Sequence, residues 1–230
     1  MNISAIGITK FAPDLMTLEW STTISGGPSE YALASLIQNN EVALVLACAE
    51  YPGYSANGSG FSSLPPLVPD ISQTGFDESY LHLTVISEDG SQLLRSRLIG
   101  SVSMDMFNQI ANVGMSGFVA DIDQTSDGDY VVVCTVKDEN FPITEGAFDN
   151  ENTGTNPEIN QRDAALLRIS QDLQTLKWAT FWGGDDRDYG FDVEVDQFDN
   201  IYIGGTSFTS SIVTTPGAWL ESSDLWGFRF

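Results

Sequence analysis

Residues 172–184 have the sequence DLQTLKWATFWGG, and residues 14–27 have the sequence DLMTLEWSTTISGG. Both stretches contain the pattern D-L-x-T-L-x-W-x-T followed by a glycine pair, and a tyrosine follows each of them, at Tyr189 and Tyr31. Agreement over so long a pattern indicates an internal repeat, in which each unit packs against the units before and after it. The fold is therefore predicted from the repeat.

Two further blocks recur along the chain. Residues 141–148 (FPITEGAF) match residues 212–219 (IVTTPGAW) in a threonine, a Gly-Ala pair and a final aromatic residue. Residues 123–130 match residues 196–202 in an Asp-Gln pair, a turn pair and a tyrosine. Equivalent positions in the strand before the first block are Lys10, Val85, Arg168 and Arg229. The units are therefore 75, 83 and 61 residues apart, a spacing that suits four-stranded sheets with loop insertions, as in a β-propeller.

Local patterning also predicts strands. Apolar and polar residues alternate along 165–170 and 191–196, which is the period of a half-buried strand. The pairs that separate such runs tolerate positive φ and close tight hairpins; they are Asn39-Asn40, Asp89-Gly90, Asp127-Gly128 and Asp199-Asn200. A short helix fits only at 104–113. The thirteen predicted strands are 3–11, 18–24, 31–37, 42–49, 79–87, 91–98, 117–123, 129–136, 163–170, 175–182, 190–196, 201–207 and 224–230.

The most complete unit, residues 178–219 followed by SDLWGFRF at 223–230, resembles the SBBP repeat, a β-propeller repeat of large secreted bacterial proteins. The likeness is strong over 117–230 and weaker before it. The resemblance implies four-stranded blades, an extracellular or cell-surface setting, and the association with type IX secretion in gliding bacteria that is common in the family. It implies no catalytic residues.

The resemblance divides the chain into one β-propeller segment with an incomplete blade at each end. We expect a partial blade at 3–24, a blade with loop insertions at 31–98, a blade at 117–182, and an incomplete blade at 190–230. Thirteen strands do not close a ring of four-stranded blades. The remaining blades of the same propeller, in a longer chain, are therefore expected partners.

The strand order places the longest loops on one face. Turns within the hairpins are short, whereas the segments 50–78, 99–116, 137–162 and 208–223 all leave the opposite end of the strands, where binding usually resides. The aromatic residues on this face are the predicted binding residues: Tyr51, Tyr54, Phe61, Phe107, Phe141 and Trp219. The alternative is that these aromatics fill gaps between blades.

Composition excludes several classes of function. The chain of 230 residues has 9 Lys and Arg against 32 Asp and Glu, a formal net charge of −23, so nucleic acid and anionic membrane surfaces are not expected partners. The longest apolar run, residues 42–49, is too short to insert into a membrane. Cys48 and Cys134 lie in β-rich runs and are predicted to be small buried apolar residues. No signal peptide is recognisable after Met1.

Carboxylates are the only abundant reactive groups. Asp185, Asp186 and Asp188 are weak candidates for Ca²⁺ ligands, since Ca²⁺ takes six to eight oxygens; the alternative is that they cap backbone amides. Paired acids beside aromatics would also suit a glycoside hydrolase. His82, the sole histidine, has no nucleophile or acid beside it in sequence, and no catalytic motif occurs.

These observations favour a non-catalytic β-propeller that acts as a scaffold, adhesion or docking module of a secreted or surface-displayed bacterial protein. Its expected partner is a protein or glycan at the cell surface. Two alternatives remain open: a propeller that binds or hydrolyses glycans, and a subunit of a larger cell-surface or secretion assembly. No cofactor is expected apart from the weak Ca²⁺ candidates.

Overall fold

The computed structural model describes residues 5–24, 29–49, 78–103, 120–136, 141–151, 162–209 and 212–219. These ranges hold twelve strands and no helix. The strands are β1 (Ile6–Phe11), β2 (Leu18–Ile24), β3 (Ser29–Gln38), β4 (Glu41–Ala49), β5 (Glu78–Ser87), β6 (Leu93–Ser103), β7 (Ala120–Gln124), β8 (Tyr130–Val136), β9 (Asp163–Ile169), β10 (Leu176–Trp182), β11 (Asp188–Val195) and β12 (Ile201–Ser207). Each overlaps a predicted strand. The predicted strand at 224–230 and the predicted helix at 104–113 lie outside the described residues.

The strands form four antiparallel sheets in which each strand pairs with its neighbour in sequence. Sheet I is β1–β2, sheet II is β3–β4–β5–β6, sheet III is β7–β8–β9–β10 and sheet IV is β11–β12. The prediction of an all-β chain with four-stranded antiparallel sheets is confirmed. Within the described ranges no sheet closes into a barrel.

The Asp-Leu pair of the repeat forms the same hairpin turn each time. Leu15 and Leu173 adopt φ of 57° and 60°. Asp14 Oδ1 accepts a hydrogen bond from the N–H two residues on at 2.9 Å, and Asp172 Oδ1 does the same at 2.9 Å. An aspartate bonded to its own turn stabilises this local geometry. The pair β1–β2 therefore corresponds to the pair β9–β10.

The second kind of turn joins the first two strands of a sheet. Thr125 N–H donates to the Asp129 carbonyl at 2.9 Å, and Asp196 N–H donates to the Asn200 carbonyl at 2.9 Å. The fourth residue of each turn has a positive φ: Gly128 in the first turn and Asp199 in the second. The turns therefore align β7–β8 with β11–β12 at a spacing of 71 residues, which places Thr125 at the position of Asp196, where the sequence match had placed Asp123.

The sheets pack face to face in chain order. Sheets I and II share a cluster that includes Ile6, Leu44 and Leu46, and sheets III and IV share one with Val133 and Val193. The largest cluster lies between sheets II and III. Strand β8 is buried at every position except the half-buried Thr135, because sheet II covers one face and sheet IV the other. Apolar burial from both sides is the main stabilising contribution to such a strand.

A single strand position bridges sheet I to a turn of sheet II, and sheet II to a turn of sheet III. Trp20, which pairs with Lys10, lies against Gly90, where a Cβ would stand 2.6 Å from the indole ring. Arg95 has the equivalent position in sheet II, and its Nε donates to the Gln171 carbonyl at 2.7 Å. An apolar contact and a hydrogen bond thus connect successive sheets at the same place.

Candidate functional site

Of the three predicted Ca²⁺ candidates, Asp185 and Asp186 lie in the loop between β10 and β11, and Asp188 is the first residue of β11. Their carboxylates have separate partners. Asp185 N–H donates to Thr209 Oγ1 at 3.0 Å, and the Thr209 hydroxyl bonds in turn to the Asp185 carboxylate. Asp186 lies 3.4 Å from Arg187 Nε and accepts its backbone N–H at 2.8 Å. Asp188 is buried and accepts the Gly184 N–H at 2.8 Å. The loop is held together by these local bonds.

The structure instead brings Asp188 beside Asp163, at the start of β9. A Cβ at Gly183 would lie 2.7 Å from Asp163 Oδ1 and 2.9 Å from Asp188 Oδ2, so the first glycine of the repeat's glycine pair leaves room for both carboxylates. Both aspartates are fully buried, and burial raises the pKa of Asp188 above its ordinary value. Sequence reasoning missed Asp163 because 25 residues separate it from Asp188.

The contacts of these aspartates favour a role in holding the protein together over a role in binding a ligand. Among the residues that the structure describes, no group of three or more His, Cys, Asp or Glu side chains is placed to hold a metal ion. Two carboxylates could exchange a proton with a substrate only if the substrate reached them, and the Asp163 and Asp188 side chains have no exposed surface.

The predicted aromatic binding residues divide into three cases. Phe141 is 3% exposed and packs against Phe181 with ring centroids 6.3 Å apart, a position that fits the alternative of aromatics filling gaps between sheets. Trp219 is 98% exposed. The other four, Tyr51, Tyr54, Phe61 and Phe107, lie outside the described residues.

The block 141–148 lies along the outer edge of β10. Thr144 N–H donates to the Ala179 carbonyl at 3.2 Å, and Ala179 N–H donates to Thr144 Oγ1 at 3.0 Å. The block 212–219 contains the same turn, since Gly146 and Gly217 adopt φ of 80° and 85°. The block therefore protects a sheet edge that would otherwise be open to pairing.

An aromatic cluster that the sequence did not predict lies at the end of sheet IV. The Tyr189 ring lies 6.1 Å from the rings of both Phe191 and Phe208, and Arg187 lies 5.0 Å above the Phe208 ring. Phe208 is 45% exposed. Tyr189 belongs to the repeat, but nothing in the sequence joins it to Phe208.

Two acids of β7 accept hydrogen bonds from the backbone of sheet IV. Asp121 Oδ2 accepts the Val193 N–H at 3.0 Å, and Asp123 Oδ2 accepts the Val195 N–H at 2.6 Å. These bonds join the first strand of sheet III to the first strand of sheet IV. The turn alignment places Asp192 and Glu194 at the equivalent positions of β11, and both are exposed.

The remaining candidates for chemistry are buried. His82 has no exposed surface, and burial lowers its pKa to about 4. Burial raises the pKa of the Cys134 thiol to about 12, which leaves it unreactive at neutral pH. The prediction that Cys134 is a small buried residue is confirmed; the Cys48 side chain lies outside the described part of the structure.

The sequence was also compared with known proteins. No protein-family model matches the chain, and no curated protein matches it. Nor do the described ranges contain any helix with the length and apolar character needed to cross a membrane.

Proposed function

We propose that the chain is a segment of a β-propeller and serves as a non-catalytic scaffold, adhesion or docking module of a secreted or surface-displayed bacterial protein. The observation that carries the proposal is the serial packing of sheets I to IV, in which the same strand position bridges sheet I to sheet II and sheet II to sheet III. Trp20 contacts the turn of sheet II, and Arg95 contacts the turn of sheet III. A propeller is built by repeating one such step around an axis.

The setting is supported by the sequence. The resemblance to the SBBP repeat favours export, and a net charge of −23 suits a soluble module outside the cell. The low number of basic residues disfavours both an anionic membrane surface and a nucleic acid as the partner.

The proposed binding face is the end of the sheets that bears the long loops. In its described part this face exposes Phe148 at 71%, Phe208 at 45% and Trp219 at 98%. Exposed aromatics stack on sugar rings and on other side chains, and they are enriched where proteins bind partners. A glycan-binding role for the same face is therefore the second candidate, favoured by Trp219.

A binding assay on immobilised bacterial surface glycans and intact cells tests the proposal. We expect Trp219→Ala to lower binding at least tenfold, whereas Phe198→Ala should leave it unchanged, because Phe198 is 76% exposed but lies in a turn at the other end of the strands. Release of reducing sugars from a bound glycan would contradict the non-catalytic proposal. Equal effects of the two variants would contradict the assignment of the face.

A further inference from the structure

We propose that the β11–β12 hairpin of one copy of this chain docks in the groove beside β1 of a second copy, so that copies associate head to tail. The proposal goes beyond the scaffold role and rests on the repeat geometry, not on the extracellular setting. It deepens the assembly alternative by naming the partner and both surfaces.

The first surface is a groove of about 360 Å³ between β1 and β3. Its lining includes Ile8 of β1, Ala34 and Ile37 of β3, and Leu44 of β4. Ile37 is 70% exposed. Sheet I corresponds to β9–β10 through its Asp-Leu turn, so within the described residues it lacks counterparts of β7–β8. The groove lies where that hairpin would be.

The second surface is the outer face of sheet IV, which corresponds to β7–β8. The strand bulges also align β11 with β3, the first strand of sheet II: β3 bulges between Ala32 and Ala34, and β11 bulges between Gly190 and Asp192. Sheet IV is therefore equivalent to the hairpin that sheet I lacks in the described part of the chain. Joined through β12 and β1 of the second copy, they would form a four-stranded antiparallel sheet with the order found in sheets II and III.

The contact between sheets III and IV supplies the expected hydrogen bonds. Asp121 and Asp123 accept the N–H groups of Val193 and Val195. Asp192 and Glu194 stand at the equivalent acid positions, and the matching bulges place Ser35 and Ile37 at the positions of Val193 and Val195. We therefore expect Asp192 and Glu194 to accept the Ser35 and Ile37 N–H groups of the second copy.

The block 212–219 would add a third contact. Thr144 bonds to Ala179 on the outer edge of β10, and Thr215 is its equivalent in the second block. The pairing of Trp178 with Arg168 and of Trp20 with Lys10 makes Ser21 the equivalent of Ala179. Thr215 would therefore bond to Ser21 of the second copy.

One competitor is present in the same sequence. The predicted strand at 224–230 would take the β12 edge that β1 of the second copy requires. It would fill neither the groove nor the outer face of β11, whereas a second copy fills both. Because the two surfaces are different, the contact is heterologous and generates rings or open chains. Competition for the edge makes the association depend on protein concentration.

Light scattering and sedimentation of the full chain, from micromolar to near-millimolar concentration, test the proposal. We expect oligomers to grow with concentration. Raising the salt concentration should strengthen the association, because it screens the repulsion between copies that each carry −23. Ile37→Asp disables the groove, and Tyr202→Asp disables the outer face of sheet IV, where Tyr202 is 60% exposed. Each variant alone should stay monomeric with unchanged circular dichroism.

A mixture of the two variants gives the decisive result. Each keeps one intact surface, so the mixture should form a 1:1 dimer and nothing larger. Asp192→Ala/Glu194→Ala should weaken association at least tenfold, whereas the exposed control pair Glu145→Ala/Glu151→Ala should leave it unchanged or strengthen it slightly. A monomeric wild type at every concentration would overturn the proposal, as would association that survives both single variants or a mixture that stays monomeric.

Discussion

Strands β8 and β12 hold the same place in the repeat but have different surroundings. In β8, Val131, Val132 and Val133 are at most 1% exposed, because sheet III is covered on both faces. In β12, the isoleucines face sheet III, while Tyr202 is 60% exposed on the other face. A strand at this place in the repeat is therefore apolar on both faces only where a neighbouring sheet covers each face. The residue pattern reports the packing as well as the strand.

The Asp-Leu turns also differ in burial, although their backbone conformation is the same. Leu15 and Leu173 adopt nearly the same φ in the same Asp-Leu turn. Leu173 is fully buried in the core between sheets II and III, whereas Leu15 is 76% exposed. Both residues bear the steric cost of a left-handed backbone, and only Leu173 offsets it by burying its side chain.

Replacing each leucine by glycine is therefore expected to change the free energy of unfolding in opposite directions. Leu173→Gly should lower the free energy of unfolding by about 3–5 kcal/mol, since it removes a buried side chain. Leu15→Gly should raise it by about 0.5–1 kcal/mol, because glycine adopts positive φ without strain. Urea unfolding of both variants measures the comparison. A destabilised Leu15→Gly variant would mean that another part of the protein covers sheet I.

The strands were predictable because the repeat, the two-residue alternation and the turn pairs agree with one another. The sheet faces that remain uncovered were not predictable, since the packing of one sheet on another depends on residues far apart in sequence. Phe141 shows the limit: its place in a long loop predicted a binding residue, yet it packs against Phe181, 40 residues later. The partnership of Asp163 with Asp188 required the same missing information.

Sheet II provides a test at low pH, because His82 is enclosed in it. Burial lowers the His82 pKa to about 4, against about 6.5 in the unfolded chain. The unfolded state therefore binds the proton first, so this stability is present above pH 6.5 and is lost as the pH falls towards 4. The loss should reach about 3 kcal/mol.

The variant His82→Leu isolates this contribution, since the carboxylates titrate alike in both proteins. Between pH 7 and pH 5 the wild type should lose about 2 kcal/mol more than the variant in urea unfolding. Equal losses would show that His82 is protonated in the folded state, which a group enclosed by two sheets should resist.

The acids of β7 lie on a face that sheet IV covers, whereas the equivalent acids of β11 lie on an exposed face, so substitutions at both places compare the two. Asp121→Ala/Asp123→Ala removes two acceptors and leaves the Val193 and Val195 N–H groups without these bonds, so we expect a loss of about 2–4 kcal/mol. In dilute solution, the equivalent change Asp192→Ala/Glu194→Ala should cost less than about 0.5 kcal/mol, because both residues are exposed.

Hydrogen exchange extends this test to single strands. Loss of the β7 acids should speed amide exchange in β11 more than in β3, since Val193 and Val195 of β11 donate their N–H groups to these acids. Similar exchange rates in the two strands would show that the apolar contact between sheets III and IV suffices without the acids.

The smallest expected effect compares two glycines of sheet IV. A Cβ at Gly190 would stand 2.4 Å from Val133 Cγ2 and 3.2 Å from Ala164 Cβ, so Gly190→Ala must push sheets III and IV apart. Such overpacking costs about 1–3 kcal/mol. At Gly204 the nearest atom, Asp192 Cβ, lies 3.5 Å away, so alanine fits and should change stability by less than about 1 kcal/mol.

Measured at low and at high protein concentration, these two glycine variants also test whether the outer face of sheet IV is covered. In dilute solution Gly204→Ala should be neutral or slightly stabilising, because its methyl group meets only solvent and Asp192. If a second copy covers that face, the same methyl group lies in the contact and should weaken association. A Gly204→Ala variant that unfolds as readily as Gly190→Ala in dilute solution would mean that the face of β12 is covered within a single chain.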